Sequence, residues 1–203
     1  MPRTLCALLV LLALCSCREV YWSNPIFDLQ ETQVDQRLIG TWRGRLYSEG
    51  QPVKQVGEVS WHIRRGGKNV MKVLVENSTN HFNLYASKLG ARTFLNVESP
   101  TGTDDLPKGL FLIWEYEITQ GGDLVLHLVV NSDILEKAIL SRTLQGELIW
   151  EDRESDYAPV TVKADSGEIR AFLFNTPSDK LFLDASYRFR KVKGGAAGTQ
   201  AHG

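Results

Sequence analysis

The chain has 203 residues, 43% of them hydrophobic and 23% charged, an ordinary composition for a soluble globular protein. Lys plus Arg number 23 and Asp plus Glu 24, a formal charge of −1, which excludes a nucleic-acid binder working by bulk positive charge and an acidic disordered chain. Three cysteines exclude a disulfide-dense scaffold and a Cys-rich zinc module, and the length suits one domain with a sizeable core.

The first element is an address. Arg3 precedes an uncharged run of ten residues, Leu5 to Leu14. That is too short to cross a bilayer, which takes about 20 apolar residues as a helix, but it fits the apolar region of a secretory signal. The run ends in Leu14-Cys15-Ser16-Cys17, which resembles the lipobox of bacterial lipoproteins: Leu three residues before the modified Cys, and a small residue just before it. Cys15 departs from the usual Ala, Ser, Thr or Val at the middle position. The other frame, Leu12 to Cys15, sets bulky Leu14 where the peptidase needs a small side chain.

The resemblance implies that residues 1–16 are removed and that Cys17 is the lipid attachment site, so that its acyl chains hold the protein on the membrane. One acyl chain binds membranes only marginally, at about 10⁴ M⁻¹, whereas two or more anchor stably. Arg18, in place of an Asp after the lipidated Cys, implies the outer membrane of the bacterial envelope. The mature chain would keep no free thiol. Asn77-Ser78-Thr79 fits the glycosylation acceptor of a eukaryotic secreted protein, a reading the lipobox outweighs.

Residues 17–36 read as an acylated N-terminus and tether. Tyr21, Trp22, Ile26 and Phe27 lie among polar residues without a regular period, and are expected to pack locally or to lie at the membrane interface. Residues 37–192 form the expected domain, and 193–203, which lack large apolar groups, a disordered tail.

Within the domain the dominant signal is alternation. Trp42 and Leu46 share one face of 38–48, with Arg43, Arg45 and Tyr47 on the other. Val59, Trp61 and Ile63 alternate with Glu58, Ser60, His62 and Arg64. After the turn at Arg65-Gly66-Gly67-Lys68 come Met71, Val73 and Val75, then Phe82, Leu84 and Ala86, then Leu95 and Val97. Leu110, Leu112, Trp114, Tyr116 and Ile118 form a long apolar face, and a turn at 120–123 leads into Leu124, Leu126, Leu128 and Val130. Period 2 repeated this often, with Gly-rich turns between, predicts an antiparallel meander. Seven such strands need closure to avoid bare edges, so the expected class is mainly β with minor α, a lipocalin-like barrel or half-barrel.

Two helices are expected in the C-terminal half. Asp133 to Glu136 has a capping arrangement followed by Leu135, Ala138 and Ile139, with Gly146 as the stop. Asp165 to Glu168 repeats it, with Ile169, Phe172 and Leu173 as the stripe and Pro177 after the end. Short strands are expected near 147–152 and 159–163, and a last one at Tyr187-Arg188-Phe189-Arg190-Lys191.

Gly40-Thr41-Trp42 resembles the G-x-W motif of lipocalins, whose Trp plugs the closed end of an eight-stranded barrel. That likeness implies a buried Trp42 under a late basic residue such as Arg188 or Arg190. Ser155-Asp156-Tyr157 is similar to the second lipocalin motif but lies late in the chain. The G-T-W opening with the late Arg170-Ala171-Phe172-Leu173 also resembles a group of uncharacterised bacterial lipoproteins, which brings no activity with it.

Residues that carry chemistry are few. His62, His81 and His127 are single strand histidines without metal-ligand spacing, and His202 is in the tail. Asp104-Asp105 and the acidic run 151–156 fall in predicted turns and read as solvated, so no metal, no cofactor and no catalytic residue is expected. The chain is read as not an enzyme. Phe82, Leu84, Trp114 and Tyr116 are the candidate lining of a barrel interior that holds a lipid or other small apolar ligand. The same residues serve equally as a filled core, in which case the protein docks on an envelope protein partner. Alternation alone does not separate the two readings.

Overall fold

The computed structural model describes residues 20–76, 78, 81–103, 106–128, 130–148 and 160–192. Cys17 with its lipobox, Asn77 and Thr79, Asp104-Asp105, the 151–156 run and the 193–203 tail lie outside the described residues.

The strands in chain order are β1 (Val20–Trp22), β2 (Gly40–Ser48), β3 (Gln51–Pro52), β4 (Val59–Arg65), β5 (Met71–Val75) and β6 (His81–Leu89). They continue with β7 (Arg92–Glu98), β8 (Phe111–Ile118), β9 (Leu124–His127), β10 (Gly146–Leu148), β11 (Val160–Val162) and β12 (Ala185–Lys191). Helices α1 (Ser132–Leu140), α2 (Ser166–Asn175) and α3 (Ser178–Leu181) all fall between β9 and β12. The two helices expected from the sequence are present, and the four-residue α3 after Pro177 is additional.

Strands β2, β4, β5, β6, β7, β8 and β9 pair antiparallel in sequence order, and β12 then pairs with both β9 and β2. The result is a closed eight-stranded antiparallel barrel. Closure removes the open edges that a seven-strand meander would leave. Its last strand arrives only after the chain has built a helical layer outside the wall.

Two apolar cores result. One fills the barrel with the inward residues of every strand, Trp42, Trp61, Met71, Leu84, Leu95, Leu124 and Phe189 among them. The other lies outside, where Phe94 of β7 with Phe111 and Ile113 of β8 are covered by Trp22, Ile26, Val160, Leu135, Ile169 and Leu173. The period-2 reading assigned β8 one apolar face, but Phe111 and Ile113 make its second face buried too. The continuous run Leu110 to Trp114 is the mark of a strand covered on both sides.

The segment read as a tether is part of the fold from Val20 on. β1 lies parallel to β11 and meets β8 at Trp22 and Phe111, and Trp22 and Ile26 are wholly buried. Asn96, itself buried, accepts the Ile26 N–H at 2.8 Å, and Arg170 donates to the Ile26 carbonyl at 3.0 Å while lying over Phe27. This is the role of the Arg in the Arg170-Ala171-Phe172-Leu173 run.

Helix ends follow their capping chemistry. Asp165 and Glu168 form the expected reciprocal capping box of α2. Helix α1 is capped two residues before the expected Asp133, by Asn131, whose side chain accepts the Asp133 N–H. Gly146 does not stop α1, which ends at Leu140. It opens β10 where a Cβ would overlap Ile139 and press on the Thr161 carbonyl.

Candidate functional site

All four candidate lining residues point into the barrel. Leu84 is fully buried, Phe82 and Tyr116 are buried, and Trp114 is half-buried against the same cluster. Part of the lumen between them is taken up by aromatic rings. β4 and β8 stand opposite each other, with three barrel strands between them on either side. The Trp61 ring of β4 and the Trp114 ring of β8 nevertheless come within 5.7 Å of each other. Trp61 also meets Phe189 at 4.9 Å, and Phe189 stacks on Tyr187 at 5.4 Å. Leu84, Leu124 and Leu126 are 0% exposed, whereas the inward Leu112, Trp114 and Leu128 keep part of their surface exposed.

The end of the barrel where β2 begins is sealed by a short 3-10 turn, Gln36–Leu38. Trp42 is 1% exposed and its indole N–H donates to the Leu38 carbonyl at 2.7 Å. The basic residue on Trp42 is Lys191, with Nζ 5.2 Å from the ring and donating to the Arg37 carbonyl at 3.0 Å. Arg188 and Arg190, the expected partners, point outward because they alternate with the inward Tyr187 and Phe189. Gly40 has φ +137°, a backbone conformation that residues with a side chain rarely adopt, so the motif needs its glycine.

Asp35 caps the 3-10 turn and links the seal to the wall. The Tyr116 hydroxyl donates to its carboxylate at 2.8 Å and the Arg37 guanidinium approaches it at 2.6 Å. Burial pushes the Asp35 carboxyl up, but the hydrogen bonds from Arg37 and Tyr116 outweigh it and hold the group below its ordinary value. Burial, and then the Asp35 charge, push the Tyr116 hydroxyl well above the usual phenol range. On the outer wall Tyr85 donates to Glu98 at 3.1 Å, and burial followed by the Glu98 charge pushes it up to about 12. Both tyrosines therefore keep their protons at neutral pH.

The three domain histidines do not meet. His62 is exposed and bonds Thr41 at 3.1 Å, His81 is exposed, and His127 lies 6.1 Å from the Phe182 ring. Among the described residues no three of His, Cys, Asp and Glu are grouped closely enough to hold a metal ion.

One concave feature of the described surface is on the outer wall, where β2 pairs with β12. A hollow of about 400 Å³ is lined by Arg43, Arg45, Arg188 and Arg190 together with Tyr47, Glu58 and Asp123. The register sets Arg43 directly opposite Arg190 and Arg45 directly opposite Arg188. Inside the wall Gly44 leaves room for Phe189 and the β12 backbone, where a Cβ would collide with both. The close approach of the two strands that glycine permits is what brings the four arginines together. Sequence reading identified Arg43 and Arg45 as one polar face but missed the block. Its signal, Arg-x-Arg in two strands, becomes a site only once those strands are known to pair.

No protein-family model, curated protein or solved structure matches the chain.

Proposed function

We propose that this is a lipid-anchored envelope lipoprotein, attached through Cys17, whose barrel is a non-catalytic docking module acting through its outer surface. The observation that carries this reading is the contact of Trp61 with Trp114 across the barrel, which sets two of its own rings in the lumen. A filled barrel offers specificity only on the outside, where an envelope partner or the membrane can reach it. The lipobox supplies the anchor, and the β1 strand starts at Val20, close behind it.

The test has two arms. Cys17→Ala should abolish labelling by a clickable fatty acid and leave the precursor uncleaved, while Cys15→Ala should not. The purified protein titrated with N-phenyl-1-naphthylamine should show no saturable site, and Leu84→Ala should open an apolar cavity that takes only a guest as small as benzene or xenon. A saturable one-to-one site in the unaltered protein, lost in Trp114→Ala, would return the lumen to a ligand-carrying role. The half-buried Trp114 and Leu112 are the observation that favours that second reading.

A further inference from the structure

The arginine block on β2 and β12 is electrostatically unfinished. Like charges directly opposite each other on neighbouring strands repel, so such a pairing costs stability unless something offsets it. Here two such pairs are stacked, Arg43 with Arg190 and Arg45 with Arg188, in a chain whose formal charge is −1. Among the described residues two carboxylates approach three of the four guanidiniums. Glu58 lies 3.7 Å from Arg43 Nε and 4.0 Å from Arg45 Nε, and Asp123 lies 3.9 Å from Arg190 Nε. Arg188 has the Tyr47 ring instead, at 5.0 Å.

The closest approach of Arg43, Arg45 and Arg190 to a carboxylate is in each case by Nε. Among the described residues, the terminal Nη groups of the four guanidiniums are left without hydrogen-bond acceptors. Those are the forks that bind a tetrahedral oxyanion with two donors at a time. The size agrees: a hollow of about 400 Å³ is within the range of small-molecule sites, about 300–1,000 Å³, and has room for an anionic group with part of the molecule that carries it.

We propose that this hollow binds the phosphate group of an anionic lipid headgroup. The source of the phosphate rests on the anchored reading above. Val20, the first residue of β1, is three residues beyond Cys17, and three residues span at most about 10 Å. A lipid on Cys17 therefore holds the barrel against the bilayer. β1 docks on β8, and β9 and then β12 follow β8 around the wall, so the anchor and the arginine block belong to one barrel held close to the membrane surface. The four guanidiniums supply positive charge and donors; the phosphate supplies the acceptors they lack.

The test uses the full chain in a neutral detergent, with phosphatidate or phosphatidylcholine mixed into the micelles and with glycerol phosphate free in solution. Phosphatidate is expected to bind in a saturable, salt-sensitive way, at least about tenfold more tightly than phosphatidylcholine or glycerol phosphate. Arg43→Gln with Arg190→Gln should weaken phosphatidate binding at least about tenfold. The same double variant should melt no lower than the unaltered protein, since it relieves repulsion, which keeps lost binding distinct from lost fold. Equal affinity for glycerol phosphate overturns the lipid source and assigns the hollow to free phosphate esters. Absence of phosphatidate binding, or binding that survives the double variant, overturns the site. Failure of fatty-acid labelling at Cys17 would overturn the anchor and leave binding in micelles unchanged, so the two readings fail separately.

Discussion

The barrel treats two parts of its outer wall in opposite ways. At β7 and β8 the wall is covered, and its one arginine is fully engaged. Arg92 makes a two-bond pair with Glu115 at 2.7 and 3.0 Å, and donates to the Leu173 and Thr176 carbonyls at the end of α2 at 2.7 and 2.8 Å. Ser178 adds a bond to Glu115 at 2.9 Å, so this one pair fastens α2 and α3 to the barrel. At β2 and β12 the wall is bare, and three of its four arginines share two carboxylates at 3.7–4.0 Å. Burial makes an unmatched charge too costly to keep, whereas water lets a surface carry a surplus. A surplus held at one spot is a site that something else can complete.

The largest effect should come from breaking the covered pair. Glu115→Ala leaves Arg92 largely buried with only helix carbonyls for partners, and Arg92→Ala strands the Glu115 carboxylate; each should cost about 3–5 kcal/mol in urea unfolding. The double variant should cost less than the two single losses added together. On the bare wall Arg45→Ala should cost less than about 1 kcal/mol. Equal losses on both walls would remove the distinction. Asn96→Ala comes next. It leaves the buried Ile26 N–H without an acceptor and should cost about 1–3 kcal/mol, with amide exchange of residues 20–27 accelerating first.

How much of this was legible beforehand depended on whether a feature was local. The inward faces of β2, β4, β5, β6, β8 and β9 could be read from alternation alone, because period 2 is a property of one strand. The Asp165–Glu168 capping box was legible for the same reason. The covered wall was not, because Phe94 and Phe111 are buried by residues such as Leu173 and Ile26 that are far away in sequence. Lys191 on Trp42, in place of Arg188 or Arg190, turned on which face of β12 points inward. The arginine block needed both the pairing of the first and last barrel strands and its register.

A smaller effect concerns Asp35, whose carboxylate is covered but still matched. Its folded pKa lies below its unfolded value, so it contributes stability that is complete above the unfolded pKa and lost as pH falls through the folded one. Stability measured from pH 6 downward should therefore fall from about pH 5, and Asp35→Asn should flatten part of that fall. An unchanged acid profile in Asp35→Asn would show that the seal at the base of the barrel does not depend on the charge.

The smallest expected effect is the one whose sign is most informative. Removing Arg43 and Arg190 together takes away two of the four facing cations. What is lost with them is small: a 3.4 Å contact from Arg43 Nε to the Ser60 hydroxyl, and approaches to Glu58 at 3.7 Å and Asp123 at 3.9 Å. Exposed pairs at such distances contribute little, while like charges directly opposite on adjacent strands cost about 0.2–1 kcal/mol. Arg43→Gln with Arg190→Gln should therefore raise the urea midpoint slightly at low salt. Screening should erase the gain near 0.5 M salt, where charges a few ångströms apart in water no longer feel each other strongly. A loss of stability that persists at high salt would mean that the arginines hold the β2–β12 seam together through their stems and hydrogen bonds. Repulsion on the bare wall would then not be the reason for an anion to bind there, and the contrast between the two walls would reduce to one of burial alone.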